Sequence, residues 1–174
     1  MVGPRTVPTA VAERGDASKV QFESLEEEAT HVLDEARMVL PGIQALFGFQ
    51  LIAAFNQRFA SDLAPWQQLI HLAALLLVAI AVGVIMTPAA YHRQAERGRI
   101  SERFLRLASA LITVAMLPLA AGISLDLFVV ACIITGQPVP SAVLGALLFG
   151  ALVGGWFVFP RWSAMHIARQ DASR

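Results

Sequence analysis

Between Asp62 and Arg93 the chain reads LAPWQQLIHLAALLLVAIAVGVIMTPAAYH (residues 63–92), 30 residues without an Asp, Glu, Lys or Arg. A hydrocarbon layer about 30 Å thick is crossed by roughly 20 helical residues, and lipid offers backbone groups no partner outside their own helix. The stretch therefore reads as a membrane helix. Working outward, the pattern recurs: 20 uncharged residues lie between Arg37 and Arg58, 19 between Arg106 and Asp126, and 34 between Asp126 and Arg161. With 56% hydrophobic residues and a mean hydropathy of +0.61 over 174 residues, one compact helical domain is the economical reading. The expectation is an all-α fold, a bundle of four transmembrane helices over 38–59, 66–91, 104–135 and 140–162, within a domain spanning 38–162.

Punctuation supports these limits. Pro41 and Gly42 stand near the start of the first span, Pro65 precedes the second, and Gly136, Gln137 and Pro138 give an immediate return from the third to the fourth. The third is long for a straight perpendicular span, so Pro118 and Gly122 are expected to kink it. Residues 1–21, with Gly3, Pro4, Pro8, Gly15 and Asp16, are expected to form a mobile tail. Phe22, Leu25, Ala29, Val32, Ala36 and Val39 then follow steps of three and four among six carboxylates, which predicts an amphipathic acidic helix over 22–37. The first 36 residues lack a signal-peptide pattern, so the first span is expected to remain in the mature protein. Residues 163–174 read as a polar tail.

A net charge of zero conceals a separation: −4 over residues 1–37, +3 over 91–106 and +2 over 161–174. Arg93, Arg97, Arg99, Arg103 and Arg106 make the connection between the second and third spans a basic loop, and Arg37, Arg161 and Arg169 flank the ends, whereas the opposite connections hold only Arg58. By the positive-inside rule both termini are expected in the cytoplasm. Trp66 on one side, Tyr91 and Trp162 on the other, fit interfacial belts. Twelve arginines against the single Lys19 suggest a GC-rich bacterial genome, hence a bacterial inner membrane. The acidic helix and the basic loop either dock on one another or stay solvated, the arginines meeting anionic lipid. No face is basic enough for nucleic acid.

Asp126 is the ionisable group inside a predicted span, about 22 Å along the helix from Leu111, and such a group is costly enough in lipid to be a functional candidate. Two readings stand: an Arg58–Asp126 ion pair that sets the register of the first and third spans, or a carboxylate that attracts a cation at an outer vestibule. The first span carries Gln44, Gln50, Asn56 and Gln57, with Gln50 and Gln57 seven residues apart and hence near one face. Such amides serve as interhelical glue or line a water-filled path shared by several subunits. In the fourth span Ala142, Ala146, Gly150 and Gly154 repeat a small residue every four positions, as do Ala79, Gly83 and Thr87 in the second, a pattern that lets helices approach closely. His71 and His92 sit at opposite ends of the second span and cannot grip one metal. Glu28 and His31 lack the second copy that a di-iron site needs. The histidines are read as surface or interface residues, with no metal and no cofactor. Cys132 reads as a buried, inert thiol.

Glu35-Ala36-Arg37-Met38-Val39-Leu40-Pro41-Gly42-Ile43-Gln44-Ala45-Leu46-Phe47-Gly48-Phe49, followed by Phe55, Arg58-Phe59, Pro88 and His92-Arg93, resembles a family of small bacterial four-helix membrane proteins of unknown function. The resemblance is specific over residues 35–93 and looser beyond. It brings no activity, and implies that the 37–59 helix and the His92-Arg93 corner are the places to examine. No nucleophile–base pair, phosphate loop or cofactor motif is present, so catalysis is not expected. The function expected is a homo-oligomeric membrane protein forming a pore or transport path for small ions, lined by Gln50 and Gln57 with Asp126 near the outer mouth. The alternative is a non-conducting scaffold or accessory subunit.

Overall fold

The computed structural model describes residues 9–95 and 101–171, and every regular element among them is helical. The order is α1 (Thr9–Ala54), α2 (Phe59–Asp62), α3 (Pro65–Ala95), α4 (Glu102–Thr135), α5 (Pro138–Val153), a π-helical segment (Gly154–Val158) and α6 (Phe159–Asp171). Four stretches are long and apolar enough to cross a membrane: Thr30–Ala54, Pro65–Gln94, Glu102–Thr135 and Pro138–His166. The last runs through α5, the π segment and α6 as one rod.

Two boundaries differ from expectation. The acidic helix and the first span are one continuous helix that starts at Thr9, so residues 9–21 are helical; residues 1–8 lie outside the described residues. Ala10, Ala12, Glu13, Arg14, Ala17, Lys19 and Gln21 are good helix formers and outweigh the single interior Gly15. Pro41 is accommodated within the helix. At the other end α1 stops at Ala54, before the expected residue 59, because Asn56 folds a local turn: its Oδ1 accepts from the Arg58 backbone N–H at 3.0 Å.

The remaining limits follow local chemistry. Ser101 caps α4 by accepting from Phe104 N, and Gly136 ends it in the left-handed region (φ 66°), donating to Cys132 O at 2.9 Å. Across that turn Thr135 Oγ1 meets Ser141 Oγ at 3.0 Å, and the Ser141 hydroxyl donates to Gln137 O at 2.7 Å. At the start of α3, Gln67 Oε1 accepts from Ala64 N at 2.7 Å and Gln68 Nε2 donates to Leu63 O at 3.0 Å.

The centre of the bundle is the α3–α4 pair. His71, Ala74, Val78, Ala81 and Ile85 are buried along α3 in alternating steps of three and four, facing Ala115, Leu119, Gly122 and Val129 of α4. Gly122 makes the seam close: a Cβ there would meet Val78 Cγ2 at 2.8 Å and the Ala74 carbonyl oxygen at 3.0 Å. It is thus a contact point between helices, whereas the sequence suggested only a kink.

On the other side of α4, Ser141 and Gly145 of α5 are buried, and a Cβ on Gly145 would meet Ser124 O at 3.1 Å. The stripe Ala142, Ala146, Gly150 and Gly154 stands beside this seam: Ala142, Ala146 and Gly150 are exposed, and a Cβ on Gly150 or Gly154 would meet nothing within 4 Å. In α3, Gly83 is likewise open. Trp156, in the π segment, packs against the core cluster of Ile43, Val78, Ala81, Ile85, Ala115 and Leu119. From α1, Ile43 and Gln50 are buried along the apolar stretch, and Val32 packs on Phe104, Leu105 and Ala108 at the start of α4. Here the acidic helix meets the basic segment through apolar contact. The described ion pairs nearby are local ones, Arg37–Asp34 at 3.2 Å and Arg106–Glu102 at 3.4 Å. Arg97 and Arg99 lie outside the described residues.

Candidate functional site: a buried Gln–His–Asp centre

Three helices each send one polar side chain to a common point near the end of the bundle where residues 55–64 and 136–137 make the turns. His71 lies on the buried stripe of α3, six residues past Pro65; Asp126 is on the facing stripe of α4; Gln50 is one turn before the end of α1. Asp126 is nine residues before Thr135, about 14 Å down α4, so the centre sits well inside the rod ends. Gln50 and His71 are 4% and 8% exposed. Such burial of polar side chains is tolerated only with partners.

The partners are mutual. His71 Nδ1 lies 2.9 Å from Asp126 Oδ1, His71 Nε2 lies 3.1 Å from the backbone oxygen of Gln50, and the Gln50 amide donates to Asp126 Oδ2. The Phe59 ring, carried by the short α2, covers the imidazole with centroids 5.3 Å apart. A backbone carbonyl can only accept, so Nε2 must carry a hydrogen to satisfy that contact. The Nδ1–Oδ1 contact then needs a second proton, held by the imidazole as a charged ring beside a carboxylate or by the carboxyl group facing a neutral ring. Either arrangement would satisfy both ring contacts and leave the pair without net charge. The three side chains form one hydrogen-bonded polar centre inside the apolar bundle.

Beside it is a cleft of about 240 Å³ bordered by Gln50, His71 and Asp126, with exposed Phe49, Ala53, Val130 and Ile133 at its rim. It opens sideways between α1 and α4. Gln50 Oε1 is buried without a hydrogen-bond partner among the described residues. The space exceeds the roughly 10–15 Å³ that one water needs, and polar atoms border it.

The Arg58–Asp126 pair expected from the sequence is not among the ion pairs of the described residues. Because α1 stops at Ala54, Arg58 falls in the turn and is exposed, while Asp126 faces α3 and is engaged by His71 and Gln50. Gln50 and Gln57 do not share a face for the same reason: Gln50 is buried on α1, and Gln57 is exposed in the turn beyond it, as is Asn56. Gln44 is exposed and borders a separate cleft toward the other end. His71, read as a surface or interface group, is the residue that sequence reasoning missed. A signal existed, since Gln50, His71 and Asp126 lie at comparable depth from one end of their predicted spans. Among the described residues no group of three or more His, Cys, Asp or Glu side chains could hold a metal ion. Cys132 is free and buried.

Fold and centre together define an all-helical protein with four helices long and apolar enough to span a membrane and an ionisable pair between them. The chain belongs to a family of unknown function (DUF6328), whose family model matches residues 20–160. No curated protein and no solved structure matches it.

Proposed function

We propose that the protein is an integral protein of a bacterial inner membrane, with both termini and the 93–106 segment cytoplasmic, that assembles with copies of itself and carries small cations, the proton first among them, through the Gln50–His71–Asp126 centre. The observation that carries this reading is the contact of His71 Nδ1 with Asp126 Oδ1 at 2.9 Å inside an apolar bundle, closed by an acceptor on Nε2. Intramembrane carboxylates and histidines of this kind form proton relays. The side cleft with Gln50 Oε1 on its wall offers a route for exchange at one end.

Toward the other end, Ile43, Val78, Ala81, Ile85, Ala115 and Leu119 fill the bundle with apolar side chains. A path therefore runs between subunits or requires α1 to shift against the tightly packed α3–α4 pair. The outward stripe of Ala142, Ala146, Gly150 and Gly154 suits a subunit contact of the close-approach type. The apolar layer is also what favours the second reading, a non-conducting scaffold or accessory subunit in which the centre only clamps α1 to α3 and α4. Vesicles containing the purified protein and a pH-sensitive dye separate the two. An imposed gradient should collapse faster with the wild type than with Asp126→Asn, while Gln57→Leu should behave as wild type; vesicles that stay tight in repeated preparations refute transport.

A further inference from the structure

At the end opposite the proton centre, α1, α3 and α4 enclose a cleft of about 520 Å³ whose chemistry is divided. Its walls include Leu40, Ile85, Met86 and Ile112, and its polar border is made by Arg37, Arg93, His92 and Gln44. Arg37 and Arg93 are exposed, Arg37 leaning on Asp34 at 3.2 Å. The His92 ring packs on Phe104 with centroids 5.4 Å apart, and its Nδ1 is buried without a hydrogen-bond partner among the described residues. A buried ring nitrogen without a partner is costly unless something completes it.

We propose that this cleft binds one anionic phospholipid, its phosphate between Arg37 and Arg93 and its acyl chain against the apolar wall. Charge complementarity selects the head group, since basic pockets between membrane helices on the cytoplasmic side hold anionic lipids. The length of apolar wall selects a lipid over a free anion. His92 adds a ring nitrogen at the boundary between the two parts. The site rests on the membrane reading above, and is independent of what the Gln50–His71–Asp126 centre does.

The test is native mass spectrometry of the detergent-solubilised full-length protein, mixed with equal amounts of phosphatidylglycerol and phosphatidylcholine carrying the same chains. Phosphatidylglycerol should be retained preferentially, and Arg37→Gln and Arg93→Gln should each weaken its retention about fivefold. Both side chains are exposed, so neither change threatens the fold. Ala89→Trp, which fills the cleft and leaves both arginines, should also expel the lipid, whereas Arg161→Gln, which does not border the cleft, should change nothing. Equal retention of the two lipids, equal weakening by Arg161→Gln, or full displacement by inorganic phosphate would overturn the site. A protein released from membranes by alkaline carbonate without detergent would overturn the membrane reading itself, a result distinguishable from loss of lipid preference alone.

Discussion

At the turn end of the bundle, polar side chains from α1, α3 and α4 point inward and complete one another; at the opposite end His92 keeps a ring nitrogen without a partner beside a cleft rimmed by two arginines. Both ends place a histidine of α3 on the stripe that faces α4, and both include a polar residue of α1. The difference is the acidic partner: Asp126 stands opposite His71, whereas Phe104 stands opposite His92. A carboxylate completes the hydrogen bonding of one histidine, and its absence from the facing stripe leaves Nδ1 of the other without a partner among the described residues. Between them an apolar layer keeps the two ends separate.

The largest effect should come from breaking the closed end. Asp126→Leu leaves an imidazole and an amide buried without their acceptor, and each orphaned group costs about 1–3 kcal/mol, read as lost resistance to unfolding in detergent. Asp126→Leu with His71→Leu should recover part of that loss, because the imidazole is then no longer orphaned and only the Gln50 amide still lacks its acceptor.

Next, the layer between the ends can be forced apart. Gly122→Val drives a side chain into Val78 Cγ2 and the Ala74 carbonyl and should cost about 1–3 kcal/mol, while Gly150→Ala, which meets nothing within 4 Å, should leave the folded subunit unchanged and alter only its association. A smaller change, Gln50→Leu, removes one interhelical amide contact and should cost about 0.6–1.7 kcal/mol. His92→Phe, which keeps an aromatic ring against Phe104 and removes the unpartnered nitrogen, should raise stability by about 1 kcal/mol.

The apolar runs made four membrane-length helices legible from the sequence, since hydropathy and length fix them with little help from tertiary contacts. The Gly136 turn was legible for the same local reason. Helix rotation was not. Whether Asp126 turns toward Arg58 or His71 depends on where α1 stops, and that was decided by the Asn56 turn, a two-residue hydrogen bond that apolar periodicity cannot register. The small-residue rule pointed to Ala142, Ala146, Gly150 and Gly154, yet the contact with α4 uses Ser141 and Gly145 beside them. In an Ala- and Gly-rich helix several faces satisfy the rule, and only packing chooses among them. Residues 9–21 join α1 although Gly15 and the nearby Pro4 and Pro8 are poor helix formers, because Ala10, Ala12, Glu13, Arg14, Ala17 and Lys19 favour the helix.

The proposed proton path needs a proton on the His71–Asp126 pair with Nε2 donating to the Gln50 carbonyl. Nitrogen-15 magnetic resonance of protein labelled at histidine and reconstituted in bilayers at neutral pH, with His71 assigned by its absence from His71→Gln, reads this directly. A hydrogen is expected on Nε2 of His71 in every populated form, together with either a hydrogen on Nδ1 or a protonated Asp126 carboxyl. A bare Nε2 facing Gln50, with Nδ1 alone protonated beside an ionised Asp126, would contradict it.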